Sequence, residues 1–170
     1  MQERLAKFGL ALHPDKTRLI EFGQYAVTNR LRRGQGKPET FDFLGFTHVC
    51  ARNKLGYFQL VRLTVKKRMR ITLVSIRETL MRRRHEPIAA VGRWLGRVIQ
   101  GYFNYYAVFG NLYRLKSFRS DVCRAWRYAL LRRSQRHRMS WARFVHIARK
   151  YIPLCRMTHP YPEQRFRATT

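Results

Sequence analysis

The segment Arg93–Asn111, RWLGRVIQGYFNYYAVFGN, is the strongest structural signal in the chain. Its apolar and aromatic residues recur at steps of three and four, which places them on one face of an α-helix. With one residue just upstream included, they are Val91, Trp94, Leu95, Val98, Ile99, Tyr102, Tyr105 and Tyr106. Gly110 followed by Asn111 is typical of a helix end. The segment therefore predicts a long helix whose apolar face lies in the core of a small helical bundle.

Three residues of this helix are not explained by a core alone. A glycine inside a helix costs about 1 kcal/mol relative to alanine, so Gly101 indicates close packing or contact with another molecule. Asn104 and Tyr105 follow about one turn later on the same helix. For Tyr105 the alternatives are a ring in the core and a ring that stacks on a ligand.

The chain carries a large excess of positive charge. Lysine and arginine number 36 against 9 acidic residues, which gives a net charge of +27, and 28 of the cations are arginine. Arginine presents a planar fork of donors that matches phosphate, and it also stacks on bases. At 45% apolar and 14% aromatic residues, the composition is sufficient for a folded core. A folded, arginine-rich and aromatic-rich chain is typical of nucleic-acid binding.

Length and composition argue against several other classes of protein. At 170 residues the chain suits one domain, or one small domain with a piece of another. No apolar run approaches the roughly 18 residues of a spanning helix, so no membrane partner is expected. Met1–Leu12 does not resemble a signal peptide. The three cysteines, Cys50, Cys123 and Cys155, lie far apart in the sequence, and we expect them to be buried thiols of a reducing compartment.

The first 63 residues indicate a mixed region with short strands. The expected elements are the end of a helix (Glu3–Phe8), a strand (Thr17–Phe22), an exposed basic loop (Gln24–Thr40) and a β-hairpin made of Phe41–Cys50 and Tyr57–Leu63. The loop has four basic residues and no periodicity, so it either contacts a polyanion or is merely solvated. Gly45 interrupts the first hairpin strand, which is typical of a bulge or a close backbone approach.

From Thr64 onward the apolar period becomes helical. The first stripe consists of Val65, Met69, Leu73, Ile76 and Leu80, and Pro87 closes this helix or opens the next. A later helix, about Leu112–Arg133, is expected to bury Leu115, Phe118, Val122, Trp126 and Leu130. A short last helix, Trp141–Lys150, has Ser140 as its N-cap. The expected fold class is therefore α+β, with short antiparallel strands followed by a mainly helical bundle.

Three segments resemble group II intron reverse transcriptases, in the order found in that family. LAKFGLALHPDKTRLIEFG (5–23) is similar to the sixth conserved segment, and GKPETFDFLGFTH (36–48) to the seventh, which ends the palm. GYFNYYAVFGN (101–111) resembles the signature of the maturase-specific thumb, although Phe109 stands where proline is common. The resemblance implies a partial palm in residues 1–63, a helical thumb in 64–150 and a proline-containing tail in 151–170.

This resemblance implies a function as well as a fold. It points to the C-terminal part of an intron-encoded reverse transcriptase and maturase, a protein of mobile genetic elements. Such a chain would bind group II intron RNA, and an RNA/DNA primer-template, through its basic helices. In the full protein this binding would support RNA splicing and retrohoming. The bacterial cytoplasm is the expected location.

The metal site of this polymerase family is not found in the sequence. The family holds two magnesium ions with aspartates, two of them from a YADD turn, and two-metal phosphoryl transfer requires clustered carboxylates. This chain has only Asp15, Asp42 and Asp121, none of them spaced to share an ion. It is therefore expected to hold no metal or cofactor and to be inactive alone. Lys16 is either an auxiliary residue near the departing pyrophosphate or an exposed turn lysine.

The resemblance also implies a set of RNA- or primer-binding residues. The FLGF turn (43–46) resembles a primer-gripping hairpin in which glycine lets the primer backbone approach, and ordinary strand core is the alternative. The full set is Phe43, Leu44, Gly45, Phe46, Lys66, Lys67, Arg70, Gly101, Asn104, Tyr105, Asn111, Arg132, Arg133 and Arg136. Only three acids lie between Thr64 and Lys150, so the helical cations are expected to face water or phosphate.

Two other functions fit the same residues. The chain could be one half of a split or frameshifted active reverse transcriptase, with the N-terminal half on another polypeptide. It could also be a generic basic nucleic-acid-binding protein, since charge alone would allow that function.

Overall fold

A computed structural model describes residues 2–13, 17–134 and 138–159 of the chain. Within these residues a small antiparallel sheet is followed by four long helices. The elements are α1 (Gln2–Ala6), α2 (Ala26–Arg32), β1 (Phe41–Phe43), β2 (Phe46–Arg52), β3 (Phe58–Thr64), α3 (Lys66–Arg82), α4 (Ile88–Tyr106), α5 (Leu112–Leu131) and α6 (Trp141–Tyr151). The predicted α+β class is confirmed. The division into a palm, a thumb and a tail stays a prediction.

The sheet is a meander in the order β1-β2-β3. Phe41 pairs with His48 at one end of β1, and Phe43 pairs with Phe46 at the other. The β2–β3 ladder runs from Phe46 opposite Thr64 to Arg52 opposite Phe58. The predicted hairpin is therefore confirmed, and the predicted strand Phe41–Cys50 is in fact two strands.

A two-residue turn divides that segment. Leu44 and Gly45 both have positive φ, 47° and 81°, as a tight hairpin turn with the twist of its flanking strands requires. The expectation of a bulge at Gly45 was wrong. The expected close approach exists, but it is internal to the protein: a Cβ on Gly45 would lie 3.0 Å from the hydroxyl oxygen of Tyr106.

The helices enclose the hydrophobic core. Along α3 four of the five predicted stripe residues are in the core, since Leu73, Ile76 and Leu80 are buried and Met69 packs against them. The fifth, Val65, precedes the helix and is half-buried outside this core. The five residues predicted to point inward from α5 are all buried. From α4, Leu95 and Ile99 are fully enclosed, whereas Trp94 and Val98 are half-buried at the edge of the core. The amphipathic patterns were sufficient to identify these faces because each helix packs along one side.

Between α4 and α5 the chain makes a short irregular connection. Helix α4 ends at Tyr106, before the predicted stop, and Asn111 precedes α5. Gly110 has a φ of 83°, and a Cβ on it would lie 3.0 Å from Cγ1 of Val61 in β3. The glycine is therefore required both by the backbone conformation and by the contact with the sheet.

Asn111 joins four parts of the fold through its side-chain amide. Its Oδ1 accepts from the backbone N–H of Thr64 at 2.9 Å. Its Nδ2 donates to Oγ1 of Thr64 at 2.7 Å and to the backbone oxygen of Tyr106 at 2.9 Å. Thr64 and Asn111 are both buried, Asn111 completely. The amide therefore fixes the end of β3 and the start of α3 to the end of α4 and the start of α5.

Two other glycines of α4 set the position of α6. A Cβ on Gly92 would lie 2.6 Å from Cγ of the Tyr151 ring, and one on Gly96 would lie 2.5 Å from the Tyr151 backbone oxygen. The end of α6 therefore rests directly on the α4 backbone. Gly101 is different, because it is exposed and a Cβ there would meet nothing within 4 Å. The expectation of close packing at Gly101 was wrong.

The N-terminal region departs from the prediction in two places. Thr17–Phe22 was expected to be a strand, but it forms none, and Leu19 is fully exposed. A strand requires a hydrogen-bonded neighbour, and this segment pairs with none of the described strands. The predicted loop Gln24–Thr40 contains helix α2, which at seven residues is too short to show a helical period.

Two simpler expectations concern cysteines and membrane spans. The three cysteines are free, Cys123 buried and the other two half-buried. Among the described residues, no helix combines the length and the apolar character that crossing a bilayer requires.

Replacing Asn111 by alanine tests the role of the buried amide. We expect Asn111→Ala to lower the free energy of unfolding by about 2–3 kcal/mol, because it leaves buried backbone and hydroxyl groups without partners. Chemical denaturation measures the change. Asn104→Ala is the control, since that exposed asparagine should change stability by no more than about 0.5 kcal/mol. Equal stabilities of the two variants would contradict this role.

The glycines of α4 provide a second test. We expect Gly96→Ala to destabilise the fold by about 1–3 kcal/mol, since its methyl group would overlap the Tyr151 carbonyl. Gly101→Ala is a matched change in the same helix and should stabilise it by up to about 1 kcal/mol. Thermal unfolding of both variants measures the difference. A Gly96→Ala variant as stable as Gly101→Ala would show that α6 does not rest on α4.

Candidate nucleic-acid interface

The β1–β2 turn packs against the C-terminal end of α4 and the start of α3. The Tyr105 hydroxyl donates to the backbone oxygen of Leu44 at 2.7 Å, and its ring stacks on Phe46 with centroids 5.7 Å apart. The backbone N–H of Val65, just before α3, donates to the oxygen of Gly45 at 3.0 Å. We call the group Leu44, Gly45, Phe46, Tyr105 and Val65 the hairpin–helix junction. Four of its five members were among the sequence-predicted contact residues.

The outer side of this junction is apolar and exposed. Leu44 and Phe43 project their side chains into solvent, and half of Tyr105 is accessible. Leucine rarely adopts a positive φ, a conformation that costs on the order of 1 kcal/mol for a residue other than glycine. The Tyr105 hydrogen bond to the Leu44 carbonyl holds that backbone in place. The junction thus presents a fixed aromatic ring beside an exposed apolar turn.

Helix α3 begins at this junction with a run of cations. Lys66, Lys67, Arg68 and Arg70 are all exposed, and the first turn of α3 contains no acidic residue. A cation at a helix N-terminus interacts unfavourably with the helix dipole, which costs about 0.3–1 kcal/mol of stability for each cation. Placing cations at this helix terminus therefore does not stabilise the fold, but it would stabilise an anion bound there.

The structure also brings three predicted residues onto one exposed face of α4. Gly101, Asn104 and Tyr105 are spaced by three and four residues, and all are accessible. The Asn104 side chain accepts from Nε2 of Gln100 at 2.8 Å. Nε2 of His159 lies 2.7 Å from the Asn104 backbone oxygen, so the C-terminal segment reaches the same face.

Several predicted contact residues occupy other places. Asn111 is fully buried, and Gly45 and Phe46 are buried, so these three support the junction from inside. The assignment of Asn111 as an RNA contact was wrong, because all three of its amide hydrogen-bonding partners are internal. Lys16 and Arg136 lie outside the described residues.

The arginines at the end of α5 form a separate group. Arg132 and Arg133 follow α5, which spans about 30 Å from the Asn111 end, so they are remote from the junction. Arg132 is exposed and lies over the Tyr128 ring, 5.2 Å from its centroid. Arg133 is half-buried and donates to the backbone oxygen of Glu86. Of the two, Arg133 has a structural role in joining α5 to the α3–α4 connection.

The expectation that helical cations face only water or phosphate was wrong in part. Among the described residues of the helical region, two arginines form ion pairs, Arg83 with Glu86 and Arg124 with Asp121. Four more donate to backbone oxygens, namely Arg84 to Met81, Arg119 to Pro153, Arg127 to Met139 and Arg133 to Glu86. Charge counting could not reveal this use, because carbonyl oxygens are acceptors that the amino-acid composition does not show.

Besides Val65, sequence reasoning missed a cation beside the junction, Arg68. The Arg68 side chain passes the turn, with its Cδ 3.7 Å from the position of a Cβ on Gly45. Its place in the run KKRMR was the available signal.

The electrostatic environment keeps the nearby tyrosines neutral. Burial raises the pKa of Tyr102 and that of Tyr106 above their usual value. Burial also raises the pKa of the Cys123 and Cys155 thiols, which disfavours the nucleophilic thiolate at neutral pH. Within residues 2–13, 17–134 and 138–159, no three His, Cys, Asp or Glu side chains are grouped to hold a metal ion.

Comparison of the chain with family models, with curated proteins and with solved structures finds no match.

Two substitutions at Tyr105 test the junction. We expect Tyr105→Phe to lower the free energy of unfolding by about 0.5–1.5 kcal/mol, because only the hydrogen bond to Leu44 is lost. Tyr105→Ala should cost more, since the ring contact with Phe46 is lost too. Tyr113→Ala is the control, because that tyrosine is 54% exposed against 51% for Tyr105. Calorimetric unfolding distinguishes the three, and a Tyr105→Ala variant no less stable than Tyr113→Ala would contradict the junction.

Proposed function

We propose that this chain binds RNA through the hairpin–helix junction and the first turns of α3. In the family that the sequence resembles, the partner would be the structured RNA of a group II intron. The surface carries few of the fixed groups needed to read base edges. It is suited to recognition by phosphate contacts, by shape and by stacking on unpaired bases.

The run of exposed cations at the start of α3 is the observation that carries this proposal. Lys66, Lys67, Arg68 and Arg70 lie at a helix terminus that by itself favours anions. None of the four has an acidic partner among the described residues. A phosphate group would receive both the side-chain charges and the positive end of the helix dipole.

The neighbouring aromatic ring supports RNA as the particular polyanion. Tyr105 is half-exposed, and its orientation is fixed by the Leu44 hydrogen bond and by Phe46. A preoriented ring beside a basic helix end is the combination with which single-stranded nucleic acids are bound, bases on the ring and phosphates on the cations.

The described acids support no polymerase role for this chain. Asp42 accepts from the Thr47 hydroxyl on the hairpin, and Asp121 pairs with Arg124 on α5. These two carboxylates lie on different elements and are already engaged. The proposed function is therefore RNA binding without phosphoryl transfer.

Removing the cations of α3 tests this function. For the parent we expect log K against log salt to fall with a slope of about −4 to −7, as release of ions from roughly 6–10 phosphates predicts for single-stranded or mixed RNA. Lys66→Gln, Lys67→Gln and Arg70→Gln together should flatten this slope by about 2 units and weaken all RNAs alike. Filter binding over a salt series measures both. The variant should not lose stability, because it removes cations that oppose the helix dipole.

Two comparisons separate this site from general charge. A control with Arg52→Gln, Lys54→Gln and Arg77→Gln removes three exposed charges elsewhere and should change binding much less. Tyr105→Ala should lose about 1–3 kcal/mol of binding without a change in slope, as the loss of a stacked base requires. Equal losses in the α3 variant and the control would disprove the assigned site.

A further inference from the structure

A second basic surface lies between α4, the end of α6 and the extended segment 152–158. Two adjoining cavities, each of about 580 Å³, form it, and they share Gly96, Gln100, Lys150 and Tyr151. We call this continuous depression the α4–α6 cleft. None of its cations was among the sequence-predicted contact residues.

The glycines of α4 shape this cleft. Because Gly92 and Gly96 lack a side chain, Tyr151 rests directly on the α4 backbone. The chain then leaves α6 in an extended conformation at Ile152. Arg119 holds that segment in place by donating to the Pro153 oxygen at 3.0 Å. The cleft is therefore a product of packing, with two sides held by separate internal contacts.

Of the residues that the structure describes, five cations and no acid line the cleft. Arg93 and Arg97 come from α4, whereas Arg149, Lys150 and Arg156 come from the opposite side. All five are exposed. Among the described residues, none of them pairs with a carboxylate. Like charges gathered around one depression repel each other, and an anion between them removes that repulsion.

Helix electrostatics explain only part of this arrangement. Arg149 and Lys150 are in the last turn of α6, where cations complement the helix dipole. Arg93 and Arg97 are in the interior of α4 and gain nothing of that kind. Unlike Arg119, neither donates to a backbone oxygen in the described part of the chain. Their charges are left for an external ligand.

The cleft continues into the hairpin–helix junction along the exposed face of α4. Arg93, Arg97, Gln100 and Asn104 follow each other at steps of three or four residues on that face, and Tyr105 comes directly after Asn104 in the chain. Gln100 donates to Asn104, which lies beside the tyrosine of the junction. At 1.5 Å per residue this line is about 18 Å long. The length of this line of residues and its open ends suit a nucleic-acid strand better than a small anion.

The other lining groups suit the uncharged parts of a nucleotide strand. Leu154 is exposed and supplies apolar surface beside the basic side chains, whereas Phe103 and Ile152 line the cleft but are buried. Gln100 and Thr158 supply neutral donors and acceptors. Arginine forks bind phosphate in a bidentate manner, and apolar surface accepts sugars and bases.

We infer that the α4–α6 cleft binds the backbone of a single-stranded RNA segment and leads it along α4 to Tyr105. This inference rests on the proposed function, because it assigns a second contact region to the same ligand. It differs from that proposal in its residues, so the two can fail separately.

The test removes three cations from the cleft in the full chain. In Arg93→Gln, Arg97→Gln and Arg156→Gln together, glutamine keeps the helix propensity of arginine, so the unfolding midpoint should match the parent. For a short labelled oligouridylate we expect affinity to fall about tenfold or more at roughly 0.15 M salt, with the salt slope flattened by about 2 units. The control with Arg52→Gln, Lys54→Gln and Arg77→Gln should stay near the parent.

A photo-crosslinker locates the strand independently. A benzophenone amino acid in place of Gln100 should crosslink to the oligouridylate in the parent background, and the crosslink should disappear in the triple cleft variant. Blunt RNA duplex should bind the parent and the cleft variant alike, because only the single strand is expected to enter. A duplex that loses as much affinity as the oligouridylate would overturn the preference for a single strand.

The remaining outcomes separate the two proposals. A parent that binds neither RNA would overturn the proposed function and this inference with it. A parent that binds RNA, with the cleft variant equal to the control, would overturn the cleft alone. If inorganic phosphate at low concentration, or polyglutamate of equal charge, displaces the oligouridylate as well as unlabelled RNA does, the cleft is a general anion surface and the inference is wrong.

Discussion

The side-chain amide of Asn111 is the interaction on which the arrangement of the sheet and the helices depends. It satisfies the buried N–H and hydroxyl of Thr64 and the last carbonyl of α4 at the same time. A buried polar group is tolerated only when its partners are present, so this site allows one relative position of the elements it joins. Gly110 lets the connection approach β3. The hairpin turn is thereby held beside Tyr105, where the candidate interface forms.

Arginine has two distinct uses in this molecule. Among the described residues of the helical region, four guanidinium groups bind backbone oxygens. Two of them lie in α5, where Arg119 binds the Pro153 oxygen of the C-terminal segment and Arg127 binds the Met139 oxygen just before α6. A guanidinium carries several donors in a rigid plane, which makes it effective at holding carbonyls that lie outside regular hydrogen-bonding patterns. In the part of the chain that the structure describes, the exposed cations at the start of α3 and those of the α4–α6 cleft bind no backbone oxygen. The two groups look identical in a composition, and only their surroundings in the fold separate them.

Sequence periodicity predicted most of the helical architecture, and it failed where structure depends on partners. The stripes of α3 and α5 and the serine cap of α6, which accepts from the Arg143 N–H, were predicted correctly because they are local properties. Thr17–Phe22 has strand-forming residues but pairs with no described strand. At the candidate site, the roles predicted for Leu44 and Tyr105 stay predictions, although the two residues are joined by a hydrogen bond, and Asn111 is buried where a ligand contact was predicted. An asparagine at this place in the sequence is equally compatible with a contact to a ligand and with buried hydrogen bonds inside the protein.

By itself the sequence determined the α+β class, the apolar faces of the helices, and the large excess of positive charge. These follow from residue spacing and residue type, which act over a few turns of chain. Only the tertiary structure decided that the Tyr151 carbonyl packs directly against Gly96, whereas no atom lies close to the position of a Cβ on Gly101. It also decided that Arg93 and Arg156, far apart in the chain, face one cleft. Such placements depend on which backbones approach each other, and that is set by the packing of the whole core rather than by any local pattern.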